Sequence, residues 1–469
     1  MLFTSPVFLL FMLIVLCASR LPMRWGASKA FLLLASYFFY ASWNPPFVLL
    51  LAASTLVDFF AALRMQVART PGGKRAWLVL SLLSNLGVLA GFKYATFAAN
   101  TVVSLAGLTG WQLAEPAFSI ILPVGISFYT FQTLSYTIDV YRGKLVPTRN
   151  LVDFALFVSF FPQLVAGPIV RASTFLPQLE TPRRATSPML AWGGLLFIVG
   201  LFKKAFLADV VFAPVTNHAF FHDMGTFMAW MGVWSFAGQI YCDFSGYTDM
   251  AIGCALMLGF HLPDNFRAPY GAIGFSDFWR RWHISLSTWL RDYLYVPLGG
   301  NRKGRVRTSV NLMLVMLIGG LWHGASWMFV VWGGLHGLYL SAERAIRKLA
   351  GDFKPGPVLK LALAFATFQL VCVAWLFFRA PDIGRAWTML QAMVGINPEH
   401  SAAFSRWDVT VAGLCLLGLL ALHWRWRDLT LEDISRRVGW PVTAAMCGLM
   451  LFVVLTAKDV REQFIYFQF

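Results

Sequence analysis

The chain has 469 residues, 58% of them hydrophobic and 13% charged, with a formal net charge of +16. That balance lies outside the range of soluble domains, and apolar runs from end to end predict one membrane domain of packed helices. Basic residues on cytoplasmic loops account for the positive excess, so neither a nucleic-acid partner nor an acidic substrate is inferred from it.

Apolar stretches able to span or enter the membrane lie near 6–18, 30–42, 47–63, 76–92, 118–138, 151–166, 189–206, 227–242, 247–260, 309–322, 327–340, 359–378, 409–423 and 441–457. The first reads as a retained span and not a signal peptide, because no basic residue precedes it while Arg20 and Arg24 follow it. Several runs fall short of the roughly 20 residues a full crossing needs. The predicted fold is therefore an all-α, polytopic helical bundle with short, tilted and re-entrant helices. Basic clusters follow Ala18 and Leu63 and recur in 301–307, 343–354 and 425–437, which marks those segments as cytoplasmic and places both chain ends outside. No inverted repeat of the kind many transporters use is visible. The six cysteines, Cys17, Cys242, Cys254, Cys372, Cys415 and Cys447, show neither CxxC pairing nor metal-ligand spacing, and read as small hydrophobes with no metal site.

Between 263 and 324 polar, aromatic and basic residues crowd together. At helical spacing Phe275, Phe278, Trp279, Trp282, Leu286, Trp289, Leu290 and Tyr293 form an apolar stripe, so 275–295 is predicted to be one amphipathic helix at the cytoplasmic interface. His283 would project at the stripe's edge beside Ser276, Arg280 and Ser287, facing either the bundle or a cleft. Arg280 and Arg281 suit nucleotide phosphates or lipid headgroups equally. Asp243 and Asp249, set between apolar runs, need partners or water, and read first as helix pins and second as cavity lining. Asn265 lies in an irregular loop bounded by Pro263 and Pro269, where it would bond a substrate or the backbone.

The sharpest signal is Gly319-Gly320-Leu321-Trp322-His323-Gly324, a histidine at the end of an apolar run. An ionisable group there usually faces the bundle interior or a wet cavity, and the glycines admit close approach. A neutral imidazole can take the proton of a hydroxyl that attacks a thioester. An oxyanion stabiliser is also required, and backbone N–H groups or His283 would serve. The alternative for His323 is a packing histidine bonded to a carbonyl. His336 reads as structural. Walker, GxGxxG, HExxH and GxSxG patterns are not found in convincing form.

Taken together, Ala35–Ala41, Leu122–Tyr129, Ile138–Gly143, Ala166-Gly167-Pro168, Asp243–Gly253, Asp264-Asn265-Phe266, Phe278–Tyr295, Gly319–Gly324 and the ending Phe464–Phe469 resemble the membrane-bound O-acyltransferase family. The resemblance is to its bacterial alginate O-acetyltransferase branch, related to the D-alanyl-lipoteichoic acid transferases. It implies that His323 is the catalytic histidine and His283 a second active-site histidine near the cytoplasmic mouth of a tunnel. Asn265, Arg280, Arg281, Trp282, Ser287, Trp322, Asp243 and Asp249 are then candidates for lining that tunnel or binding the donor. It further implies an acetyl group taken from acetyl-CoA, with no tightly bound cofactor, and relayed across the bacterial inner membrane. A periplasmic SGNH-type acetyltransferase or acyl carrier would place it on an exported polysaccharide, alginate first, peptidoglycan or cellulose otherwise. His323 would act as general base or as transient acyl carrier, the base being preferred. A transporter or flippase for a lipid-linked sugar, or a scaffold for a periplasmic enzyme, would also need such a chain.

Overall fold

The computed structural model describes residues 1–114, 120–165, 167–222, 224–351, 353–396, 404–457 and 464–465. Among them every regular element is helical, as the composition predicts. Five helices are long and apolar enough to cross a membrane: Pro46–Val67, Pro71–Leu108, Arg305–His323, Pro357–Arg379 and Arg406–Arg425. Leu431–Val438 and Trp440–Thr456 meet at a bend of 114° and count as a sixth crossing if taken together. The protein is a multi-pass membrane protein.

Several runs divide differently from the hydropathy pattern. The stretches near 227–242 and 247–260 belong to one 32-residue helix, Thr226–Met257, so Asp243 and Asp249 sit within a helix and not between two. The run near 189–206 is the helix Ser187–Leu201, continued by the wider π-helical turns of Phe202–Phe212. The first run is the helix Pro6–Ser19, 14 residues long, started by the Ser5 side chain accepting from the Phe8 N–H. Of the segments that carry the family resemblance, Ala166 and residues 466–469 lie outside the described residues.

The chain forms two compact units, Met1–Gly194 with Ala251–Pro263, and Leu195–Met250 with Asp264–Phe469. In the first, Phe8, Phe11, Phe39 and Phe161 pack ring to ring, Phe11 and Phe161 with centroids 5.1 Å apart. A carboxylate buried among such rings must be met by donors. Asp58, fully buried in Pro46–Val67, accepts from the Ser81 hydroxyl at 2.6 Å and from the Asn85 amide at 2.9 Å, both on Pro71–Leu108. Lys29 likewise pairs with Asp153 at 2.5 Å.

The second unit centres on an antiparallel hairpin of Arg305–His323 and Trp327–Ala350, turned at 324–326 and restarted by the Ser326 hydroxyl accepting from Met328 N–H. The two helices touch backbone to backbone. A Cβ at Gly320 would strike the Phe329 carbonyl oxygen, and one at Gly333 the Met316 carbonyl oxygen. This seam is the close approach anticipated for the glycines before His323.

Candidate active site

The segment 275–295 is not the continuous amphipathic helix that its periodicity predicts. Two seven-residue helices, Phe275–Arg281 and Ile284–Leu290, are followed by a π turn, Arg291–Tyr295. The break falls at Trp282, which is extended, and at His283, whose backbone is left-handed with φ 42° and ψ 56°.

Hydrogen bonding to a distant loop causes the break. In an unbroken helix the N–H groups of Ile284 and Ser285 would reach the carbonyls of Arg280 and Arg281. Instead Ile284 N–H donates to the Asn265 backbone oxygen at 2.9 Å, and Ser285 N–H to the Asn265 side-chain oxygen at 3.1 Å. The Arg281 carbonyl is taken by the Arg267 N–H at 2.9 Å. Helical spacing therefore does not set the direction of His283, and its predicted place beside Ser276, Arg280 and Ser287 is superseded.

His283 is fully buried. Burial pushes its imidazole down from the ordinary value to about 3, so the ring is neutral. Its Nδ1 lies 3.2 Å from the Asn265 side-chain oxygen, and Phe244 meets the ring edge-on at 4.7 Å. Trp322 lies 6.0 Å away and His323 6.3 Å, centroid to centroid.

His323 ends the Arg305–His323 helix and is 4% exposed. Trp322 and Trp332 each stand edge-on to its ring at 5.0 Å, and Phe378 at 5.6 Å. The ring is thus enclosed by aromatic side chains and a second imidazole. An enclosure of this kind excludes water and strengthens any charge interaction formed within it.

Among the candidates, the structure gathers His283, His323, Trp322 and Asn265. Trp282, chain neighbour of His283, is fully buried and packs on Phe266 at 5.1 Å and Trp375 at 5.0 Å. Other candidates are engaged elsewhere. Ser287 donates to the Trp282 carbonyl at 3.2 Å. Arg281 bonds Asp277 at 3.0 Å, Asp428 at 2.9 Å and the Arg427 carbonyl, so its guanidinium ties helix to loop. The Arg281 hydrogen bond in turn holds the Asp428 carboxyl below its ordinary value. Arg280 is different: its side chain is 70% exposed, and Asp277 is 3.8 Å away.

Asp243 and Asp249 act as helix pins. Asp249 pairs with Lys203 at 2.6 Å, and Asp243 with Lys204 at 2.6 Å, while Lys204 also holds Asp209 at 2.7 Å. Asp243 further accepts from the Ile465 N–H at 2.8 Å. Lys203, Lys204 and Asp209 escaped the reading of the sequence, although two lysines inside an apolar run are the signal that finds them. Trp332 and Phe378 also escaped it, since aromatic residues in apolar helices carry no local mark of proximity to a histidine.

Comparison with known proteins agrees with this architecture. The family model of the membrane-bound O-acyltransferases matches residues 145–380. A probable alginate O-acetylase of Azotobacter vinelandii is 43% identical over 95% of this chain and 87% of its own length. A peptidoglycan O-acetyltransferase of Helicobacter pylori is 38% identical over 94% of this chain and 91% of its own. A teichoic acid D-alanyltransferase of Bacillus subtilis is 25% identical over 57% of this chain and 71% of its own. The enclosed histidine pair therefore stands in an acyltransferase, and the chain belongs to the membrane-bound O-acyltransferase family.

Proposed function

We propose that this acyltransferase takes an acetyl group from cytoplasmic acetyl-CoA and passes it outward for O-acetylation of an exported polysaccharide, with alginate as the polymer. The observation that carries the reading is His323, buried at a helix end with the neutral His283 ring 6.3 Å away. The relatives named for alginate, similar over nearly the whole chain, support the choice of acetyl group and polymer.

In this reading His323 is the general base. Its unprotonated nitrogen takes the proton of an acceptor hydroxyl as that oxygen attacks the thioester carbon. The C–O bond forms, the C–S bond breaks, and the thiolate recovers the proton from the imidazolium. Trp322, Trp332 and Phe378 keep water from competing for the acyl group. Arg280, exposed and only distantly paired, is the candidate for the donor's phosphates, whereas Arg281 is committed to Asp277 and Asp428. A charged nucleotide cannot cross lipid, so relaying the acyl group alone avoids exporting the donor. The protein would lie in the bacterial inner membrane with both ends periplasmic. An SGNH-type partner there would complete the transfer.

Purified protein given labelled acetyl-CoA and a hydroxyl acceptor, an alginate oligosaccharide, should release CoA, and His323→Ala should slow this about 10²-fold or more. Donor cleavage at the wild-type rate in a folded His323→Ala protein would remove the site. The Helicobacter pylori relative favours a second polymer, peptidoglycan. Deleting the gene and measuring acetyl groups on alginate and on muropeptides separates the two.

A further inference from the structure

The side-chain oxygen of Asn265 meets three groups at once: the Ser285 N–H at 3.1 Å, the Ser285 hydroxyl at 2.8 Å and Nδ1 of His283 at 3.2 Å. A backbone N–H can only donate, so the atom it meets is the amide oxygen, and the orientation of the amide is fixed. An amide oxygen can only accept, so Nδ1 of His283 carries a proton. A neutral imidazole carries one proton, and Nε2 is left with its lone pair. Such a ring has no second N–H for an oxyanion, the role that the sequence leaves open to His283.

We propose that Asn265 is a positioning residue that fixes His283 in the Nδ1–H tautomer, making Nε2 of His283 a proton acceptor at the transfer site. The inference rests on the reading that His283 stands where the acyl group is transferred. The backbone supports it from both sides. Ile284 N–H and Arg267 N–H bind the 265–267 loop to the helix break, so the left-handed turn at His283 and the Asn265 side chain are held as one piece.

The residue type is informative. A carboxylate at 265 would accept the same three donors and leave no buried donor behind. Asn265 instead keeps a buried Nδ2 without a hydrogen-bond partner among the described residues. What the amide gains is neutrality beside the imidazole, because a negative charge there would favour the imidazolium and fill Nε2 with a proton. Thr226–Met257 presents Phe244, with Asp243 next to it bound to Lys204. Arg305–His323 presents Trp322 and the titratable His323. Asp264 lies 3.5 Å from Arg267, and Arg281 bonds Asp277 and Asp428.

The test uses the full chain in nanodiscs with labelled acetyl-CoA and an alginate oligosaccharide as the hydroxyl acceptor, measuring initial cleavage rates from pH 5 to 9. In Asn265→Asp the acid limb of the profile should steepen, the rate at pH 5 falling several-fold further below its plateau than in wild type, since a carboxylate beside His283 favours its imidazolium and a second proton then blocks the reaction. In a His283→Gln background the same change should leave the limb as it was. An Asn265→Asp limb that coincides with wild type overturns the proposal, as does a steepening that persists without His283. Asn265→Ser, which keeps a hydroxyl acceptor, covers the case in which the Asp variant does not fold. Its loss of rate should be absorbed by His283→Gln, whereas losses that multiply count against positioning. His323→Ala, run alongside, tests the acyl-transfer reading itself. If it cleaves donor normally, that reading fails, independently of Asn265.

Discussion

A neutral histidine sealed in an apolar site links stability to pH at the level of one residue. His283 titrates near 3 in the folded chain and near 6.5 when unfolded. Between those values the unfolded chain binds more protons, so this contribution is full above about pH 6.5 and is lost as pH falls toward the folded value. Melting of the solubilised protein should therefore drop between pH 7 and pH 4, with a smaller drop in His283→Gln. Lys204 makes a different case, because its ammonium lies between Asp209 and Asp243 with 1% of the side chain exposed. Lys204→Met should destabilise the fold by about 3–5 kcal/mol, read as loss of monodisperse yield, and Asp243→Asn in that background should restore part of it. The sequence made His323 legible because a histidine at the end of an apolar run is conspicuous. It did not make the Asn265 bonds legible, since their donors lie 18 and 20 positions away and nothing local marks them.

At the scale of elements, the stripe from Phe275 to Tyr293 was a sound guide to burial and a poor one to continuity. Phe278, Trp282, Leu286 and Leu290 are all buried, as the spacing implies. Periodicity does not report where a backbone N–H goes, and two such groups leave the helix for a loop. The glycines of the hairpin give a paired prediction. A Cβ at Gly333 would meet the Met316 carbonyl oxygen, whereas at Gly334 the nearest atom is a Leu317 methyl at 3.8 Å. Gly333→Ala should lower thermal stability by roughly 1–3 kcal/mol through forced separation of the helices, while Gly334→Ala should be close to neutral. Equal melting temperatures for the two variants would contradict the seam.

For the whole molecule, hydropathy located the apolar stretches well but could not sort long crossings from shorter pieces. Helices such as Leu151–Ser159 are apolar because protein covers them, with Phe154 to Ser159 all buried, and a hydropathy window reads that as it reads lipid. Charge supplies an orientation that can be checked. The basic 301–307 segment, mostly exposed, should be cut by trypsin in inverted membrane vesicles and protected in intact spheroplasts. The reverse pattern would invert the proposed direction of transfer. The glycine seam also bears on how the protein is made. Two helices that fit main chain against main chain leave no room for lipid between them, so Arg305–His323 and Trp327–Ala350 are suited to leave the translocon together. The ribosome would then deliver His323 at the tip of a preassembled wedge, and slowing synthesis of the second arm would strand the first before its imidazole found shelter.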